Sequence, residues 1–453
     1  MKNMIKVSIV VPIYNKGKYL QACINSILNQ TFSDYELICI NDHSTDDCLE
    51  IINSMMKEDE RIKLINHTEN KGAAWSRNEG ILSAVGEYLL ILDADDLFDN
   101  RLIELAYNEC VQNKLDVLIY NYCRFDSTSQ KIFYNNKTAM TIKRRLHSAI
   151  FSKTDITDFA FQLTAAGAPI KMIKKNLILQ HNIFFQNITN SNDVYFGKMV
   201  LLEADRMGYL DKVLLKYRSN TSESISGKTS VLVSNFVKAA GYIKAEMLSR
   251  GIYERNKRSF YTYVYKTICM HFGRTGSEMR NCVWNQEIEN IRTLLNDGDR
   301  CFLNYYYEYW FRDFAQYPPK KHAELRIDNE YWYMLKYETA RVQKILSYIR
   351  RNQFKVAQWG YGREGMKFVK IWRDEMGYPM DAIVDSDIEV IEREESVFDK
   401  DIIKNGKYFI LVITAGFVED ILEQVQSISA EAQVFDIQSY LAWGFTFEEC
   451  TFR

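Results

Sequence analysis

The run Leu90-Ile91-Leu92-Asp93-Ala94-Asp95-Asp96 places three carboxylates within four positions, directly after an apolar stretch. Clustered carboxylates repel one another and lose hydration unless a cation or hydrogen-bond donors hold them. Hard divalent cations such as Mg²⁺ and Mn²⁺ take oxygen ligands and bridge carboxylates to diphosphates. The run therefore suits a metal–diphosphate site at the end of a buried strand. It equally suits a polar turn in which Asp95 or Asp96 caps a helix beginning near Leu97. Taken alone, these residues leave both readings open.

The surrounding elements bear on the choice. Val7 to Ile13 is a short β-branched run, as expected of a strand buried on both faces. Tyr19 to Asn29 carries Leu20, Cys23, Ile24, Ile27 and Leu28 at helical spacing. Tyr35 to Ile40 reads as a second strand, ending in the polar loop Asn41 to Asp46. Cys48 to Met56 is helical, Ile62 to Ile65 a third strand, Ala73 to Val85 a helix and Glu87 to Leu92 a fourth strand. This alternation predicts an α/β fold, a mostly parallel sheet with helices on both faces. Ligands bind such sheets at the carboxyl ends of the strands. Polar clusters sit there after the first strand (Pro12-Ile13-Tyr14), the second (Asn41-Asp42) and the fourth (Asp93 to Asp96).

Composition narrows the function classes. A chain of 453 residues is too long for one ordinary core, so two or three domains are expected. A net charge of −2 supplies no overall basic field for nucleic acid. Nine scattered cysteines without a CxxC pair predict reduced thiols and a cytoplasmic setting. No apolar run reaches membrane-span length. Lys2 and Lys6 precede a short stretch that contains Pro12 and lacks a small-residue cleavage site, so it reads as the first strand rather than a signal peptide.

Five motifs follow in order: Val-Pro-Ile-Tyr-Asn at 11–15, Ser-Ile-Leu-Asn-Gln-Thr at 26–31, Asn-Asp-His-Ser-Thr-Asp at 41–46, the Asn70 to Asn78 segment, and Gly86 to Asp96. With these the chain resembles the family 2 glycosyltransferases of the GT-A fold over about residues 4–230. The resemblance implies an inverting, metal-dependent transfer. The sugar would move from a nucleotide-diphosphate donor, UDP-linked, to a hydroxyl of a surface glycan or lipid-linked glycan. It implies that Asp42 reads the base and that Pro12 and Tyr14 shape its pocket. Asn70, Gly72, Arg77 and Asn78 would line the nucleotide and phosphate side. Asp93 would contact the ribose, and Asp95 would hold Mn²⁺ or Mg²⁺. Asp96 would stand behind them or cap a helix.

Further along, Phe184 to Phe196 resembles the stretch carrying the catalytic acidic pair. Asp193 falls on the general base, and Asn192 replaces the expected Glu. Ala168 to Lys171 resembles a segment approaching the acceptor. Arg218 resembles a diphosphate-contacting arginine, followed by a Ser/Thr-rich lid. Each residue also has an ordinary role: Asp42 in a turn, Arg77 as a surface cation, Asp193 as a helix N-terminal carboxylate.

Residues 231–350 read as a helical region dense in aromatics, notably Phe260 to Tyr265 and Tyr305 to Phe311, which suits an aromatic core. Residues 351–453 read as a small Rossmann-like α/β domain. Its strand Phe354 to Trp359 runs into Gly360, Gly362 and Gly365, and Asp385 follows about twenty residues on, the pattern of a nucleotide site. The expected organisation is thus 1–230, 231–350 and 351–453. Two rival functions are a nucleotidyltransferase and a non-catalytic nucleotide-sensing or assembly protein. Peripheral contact with the inner membrane face is compatible with a lipid-linked acceptor.

Overall fold

The computed structural model describes residues 5–127, 129, 131–134, 137–146, 148–219, 232–274, 277–295, 339–360, 363–385, 397–413, 418–442, 447–448 and 450–452. The chain divides into two compact units, residues 1–299 and 300–453.

The first unit opens with strand–helix alternation. Its elements are β1 (Val7–Ile13), α1 (Gly17–Leu28), β2 (Tyr35–Asn41), α2 (Cys48–Glu58), β3 (Ile62–Asn66), α3 (Ala73–Ser83) and β4 (Tyr88–Ile91). There follow β5 (Leu97–Phe98), α4 (Leu102–Asn113), β6 (Val117–Asp126), β7 (Ile132–Tyr134), α5 (Lys137–Arg145), β8 (Ile150–Phe151), α6 (Ala160–Leu163), β9 (Lys171–Lys174), α7 (Lys175–Gln180), α8 (Asn192–Glu203) and β10 (Met207–Ser219). A ten-stranded sheet has the central order β3-β2-β1-β4-β9-β6-β10-β5. β3, β2, β1 and β4 are mutually parallel, and β2 is buried at every position, its Leu37 to Ile40 run apolar and its Glu36 taken up by Ser8 and Lys63.

Two details depart from the alternation read in the sequence. β9 runs antiparallel, wedged between β4 and β6. It starts directly after a short 3-10 turn, Ala168–Ile170, that carries Pro169. Leu97 and Phe98 form strand β5 rather than a helix start, and the next helix begins at Leu102. Asp96 therefore caps nothing.

The register puts the site at one edge. Ile13 of β1 lies opposite Asn41 of β2, and Asn41 opposite Asn66 of β3. Val10 of β1 lies opposite Ile91 of β4. The loops after β1, β2, β3 and β4 consequently leave the sheet side by side.

Three helices follow in the same unit: α9 (Leu232–Ser249), α10 (Tyr253–Arg274) and α11 (Ser277–Leu294). Phe260 and Tyr261 are fully buried, and Phe161 meets Phe260 and Tyr263 at 5.4 and 5.7 Å between ring centres. This aromatic run is core. The second run, Tyr305 to Phe311, lies outside the described residues, as does the stretch after Ser219.

In the second unit, a helix (Thr339–Asn352) leads into a six-stranded sheet of order β13-β12-β11-β14-β15-β16. Its strands are β11 (Lys355–Trp359), β12 (Ala382–Asp385), β13 (Phe398–Asp399), β14 (Tyr408–Val412), β15 (Gln433–Asp436) and β16 (Thr451–Phe452). All neighbours are parallel except β15 and β16. This is the doubly wound Rossmann order, reversing between β11 and β14. Among the described residues no helix is long and apolar enough to cross a membrane.

Candidate active site

At the carboxyl end of the parallel strands the loops hold one another. After β1, Asn15 adopts φ 50°, and its side-chain oxygen accepts the Thr45 N–H at 2.8 Å. Asp46 accepts the Gly17 N–H at 2.8 Å. The β1 and β2 loops are thus tied together with Pro12 half-buried and Tyr14 47% exposed beside them.

Asp42 follows β2 and is buried. Its Oδ1 accepts the Lys71 N–H at 2.8 Å and its Oδ2 the Gly72 N–H at 2.8 Å. Asn70 Nδ2 donates to the Asp42 carbonyl at 3.3 Å. Gly72 has φ 88° at the head of α3, where a side chain would be strained even though the space beside it is open. The sequence-selected residues Asp42, Asn70 and Gly72 therefore form one hydrogen-bonded corner. His67, which the sequence reading passed over, sits against Asp42 at 2.7 Å.

The acidic turn after β4 divides its carboxylates among different partners. Asp93 Oδ1 accepts from Arg77 Nη2 at 2.8 Å. Asp95 Oδ2 accepts from Lys16 Nζ at 2.7 Å. Asp96 is fully buried, and its Oδ1 accepts the Arg218 N–H at 2.8 Å. Arg218 Nε donates to the Asp95 carbonyl at 2.9 Å, and its guanidinium lies 4.8 Å from the Tyr19 ring centre. Burial pushes the Asp93 carboxyl up; Arg77 pulls it down, and the Asp95 and Asp193 charges push it up again. Burial and the neighbouring Asp93 raise Asp96 well above the carboxylate range. Asp96 thus fastens the turn to β10, while Asp93 and Asp95 stay partly open to solvent, 29% and 21% exposed at their side chains. Lys16 is a second residue the sequence reading missed.

Arg77 links the acidic turn to α8. Its Nη1 donates to Asn192 Oδ1 at 2.8 Å while Nη2 holds Asp93, and the guanidinium lies 5.2 Å from the Phe185 ring centre. Phe185 in turn stacks on Phe196 at 4.0 Å. Asn192, in place of a Glu, is the group that docks α8 onto this arginine. Asn78 pairs with the Phe185 backbone, accepting its N–H at 2.8 Å and donating to its carbonyl at 2.9 Å. Its amide therefore pins the loop before α8.

Asp193 occupies the first turn of α8 and is half-buried. Its charge acts on Asp93, on Lys171 and on Tyr263, so it stands within electrostatic reach of the acidic turn. No side chain caps α8: Ser191 takes φ 59°, and its hydroxyl turns to Asn190. Lys171 is fully buried and donates to the carbonyls of Ala165 and Gly167 at 3.0 and 2.7 Å. Its ammonium is thus taken up by backbone carbonyls inside the fold.

Burial lowers the Lys171 ammonium to about 7, opposed by the Asp193 charge. An unfolded lysine titrates near about 10.4. Between these values the unfolded chain binds a proton that the folded chain lacks, so stability rises with pH across that window. Below about 7 both states are protonated and the burial penalty is complete. Urea unfolding of wild type and Lys171→Met is expected to show the difference shifting in favour of wild type above pH 7. The slope is at most about 1.4 kcal/mol per pH unit. A pH-independent difference would contradict the assignment.

In the second unit Gly360 ends β11 at the strand-order reversal with φ 94°. A side chain at Gly365 would strike the Gly360 carbonyl, so this turn requires a glycine there. Asp385 closes β12. Gly362 lies outside the described residues.

Residues 8–174 match the family model described as glycosyl transferase family 2. The chain is 34% identical over 215 residues to the glycosyltransferase GlyG of Streptococcus pneumoniae, across 47% of this chain and 70% of that protein. It is also 34% identical over 197 residues to an uncharacterized glycosyltransferase of Haemophilus influenzae, across 40% of this chain and 77% of that protein. Among solved structures, TarS residues 1–349 of S. aureus in complex with UDP-GlcNAc aligns with a TM-score of 0.49 and 18% identity, covering 82% of this chain and 92% of that one.

Proposed function

Since the chain belongs to glycosyl transferase family 2, we propose that it moves a sugar from a UDP-linked donor to an acceptor hydroxyl of a glycan, with inversion at the anomeric carbon. The observation carrying this reading is that the Asp42 corner and the Asp93–Asp95 turn lie at one edge of the sheet, and that α8, whose first turn carries Asp193, is tied to that turn through Arg77. Uracil presents an N–H between two carbonyls, and Asp42 supplies a carboxylate to accept it. Pro12 and Tyr14 flank the base, and Asn70 and Gly72 close the nucleotide loop. Asp93 takes the ribose. Arg77, Arg218 and Lys16 bring positive charge to the diphosphate. Asp193 accepts the proton of the attacking hydroxyl.

The donor set on the acidic turn is compatible with a divalent cation. Asp93 and Asp95 are hard oxygen donors on one turn, each now held by a single cationic side chain. Among the described residues no group of three His, Cys, Asp or Glu side chains is placed to hold a metal ion by itself. An ion on Asp95 would therefore need donor phosphates to complete its ligands. Asp95 would hold Mn²⁺ or Mg²⁺, which supplies charge neutralisation at the departing diphosphate. The acceptor we favour is a surface or lipid-linked glycan, with the protein working at the inner membrane face.

The Rossmann strand order of the second unit favours an additional reading, a nucleotide bound at Gly360, Gly365 and Asp385. One calorimetric panel tests both: UDP-sugars, UDP, ADP and NAD titrated into the full chain with Mn²⁺. UDP binding that disappears in Asp42→Ala supports the leading reading. Binding that survives Asp42→Ala and disappears in Gly365→Val belongs to the second unit. UDP binding untouched by Asp42→Ala overturns the leading assignment.

A further inference from the structure

Asp42, His67 and Glu79 form a continuous chain of contacts that runs from the buried corner to the surface. His67 Nδ1 lies 2.7 Å from Asp42 Oδ1, and its Nε2 lies 2.7 Å from Glu79 Oε2. The His67 and Asp42 side chains are each 3% exposed, whereas Glu79 is 37% exposed. Parallel register explains the meeting. Asn41 faces Asn66 across β2 and β3, so the residues one step beyond, Asp42 and His67, are neighbours.

A carboxylate offers about four acceptor positions, two on each oxygen. Asp42 Oδ1 takes His67 and the Lys71 N–H, while Oδ2 takes the Gly72 N–H. One position on Oδ2 remains. Without His67 the carboxylate keeps only the two loop amides and is free to tilt, carrying that remaining acceptor with it. Glu79 fixes the ring from the other side. Glu79 also belongs to α3, the helix whose Arg77 grips Asp93. The base corner and the diphosphate side therefore share one frame.

We propose that His67 is a positioning residue for the donor base: it orients Asp42 so that one acceptor faces the uracil N–H, and through Glu79 it locks that orientation to α3. This rests on the reading of Asp42 given above. A purely space-filling histidine would weaken all nucleotides alike when removed. An orienting one governs the preference for uracil over cytosine, which lacks the N–H at that ring position.

The test is calorimetric binding of UDP and CDP, with Mg²⁺, to wild type, Asp42→Asn, His67→Ala, His67→Asn and Glu79→Ala. The expected results are about a tenfold loss of UDP affinity in His67→Ala and a collapse of the UDP-over-CDP preference. His67→Asn, whose amide donates from near the Nδ1 position, should recover most of the preference. Glu79→Ala should lose part of it, and its exposed site keeps folding secure. If Asp42→Asn loses the preference while His67→Ala and Glu79→Ala keep it, this inference falls alone. If Asp42→Asn binds UDP and CDP as wild type does, or wild type shows no preference, the reading of Asp42 falls and takes this inference with it.

Discussion

Replacing Asp193 with Asn is expected to reduce the rate of sugar transfer about 10³-fold while leaving donor affinity within about twofold. Asn keeps the shape of the side chain and removes its ability to take a proton. The position supports that role. Asp193 stands in the first turn of α8, half-buried, and its charge reaches Asp93 and Lys171. The helix is docked by Asn192 on Arg77 and by Phe196 on Phe185, so the carboxylate is held by rigid neighbours. The competing role, a charge that favours the helix N-terminus, is worth about 0.3–1 kcal/mol and touches stability alone. Single-turnover transfer at saturating donor, measured beside urea unfolding, separates the two. A lowered unfolding midpoint with an unchanged rate would remove Asp193 from the chemistry.

The second large effect is expected at Asp95. Asp95→Ala should lower kcat/KM for the donor by about 10²–10³-fold and abolish stimulation by Mn²⁺. Its stability should change by no more than about 1 kcal/mol. The Lys16–Asp95 pair is only partly buried, 20% and 21% exposed, and such pairs contribute little. Asp96 should behave in the opposite way. It is fully buried and bonded to the β10 backbone, so its loss should unsettle the fold before it affects donor handling. Steady-state kinetics across a Mn²⁺ titration, with thermal unfolding of the same samples, reads both quantities. Wild-type kinetics in Asp95→Ala would detach this carboxylate from the donor.

Much of this arrangement was legible because the first strands are simple. Val7 to Ile13 and Tyr35 to Ile40 are mostly apolar stretches buried nearly throughout, and their ends announce themselves by an abrupt change to polar residues. Parallel strands in register then bring those ends together. The same logic reaches His67. An acid one step past β2 and a histidine one step past β3 must be adjacent once the two strands pair at Asn41 and Asn66. The signal was present but required the register. Lys16 was hidden differently, since only the folded turn carries its ammonium to Asp95.

Lys171 marks a limit of the sequence. A lysine reads as a solvent-facing group, and its burial depends on carbonyls at 165 and 167 that converge only through loop geometry. β9 was obscured for a related reason. Lys171 to Lys174 is four residues long with a lysine at each end, yet it completes the sheet between β4 and β6. The second unit showed its first strand and glycines in the sequence, while its six-strand order emerged only from the fold.

The Asp93–Asp95 turn and Asp193 together are expected to transfer a sugar from a nucleoside diphosphate. Proton NMR of a UDP-sugar with Mn²⁺ and a glycan acceptor follows that reaction directly in wild type and Asp193→Asn. UDP release matched by a glycoside of inverted anomeric configuration is expected with wild type and should be nearly absent with the variant. Pyrophosphate as the product, or equal turnover by both proteins, would contradict it.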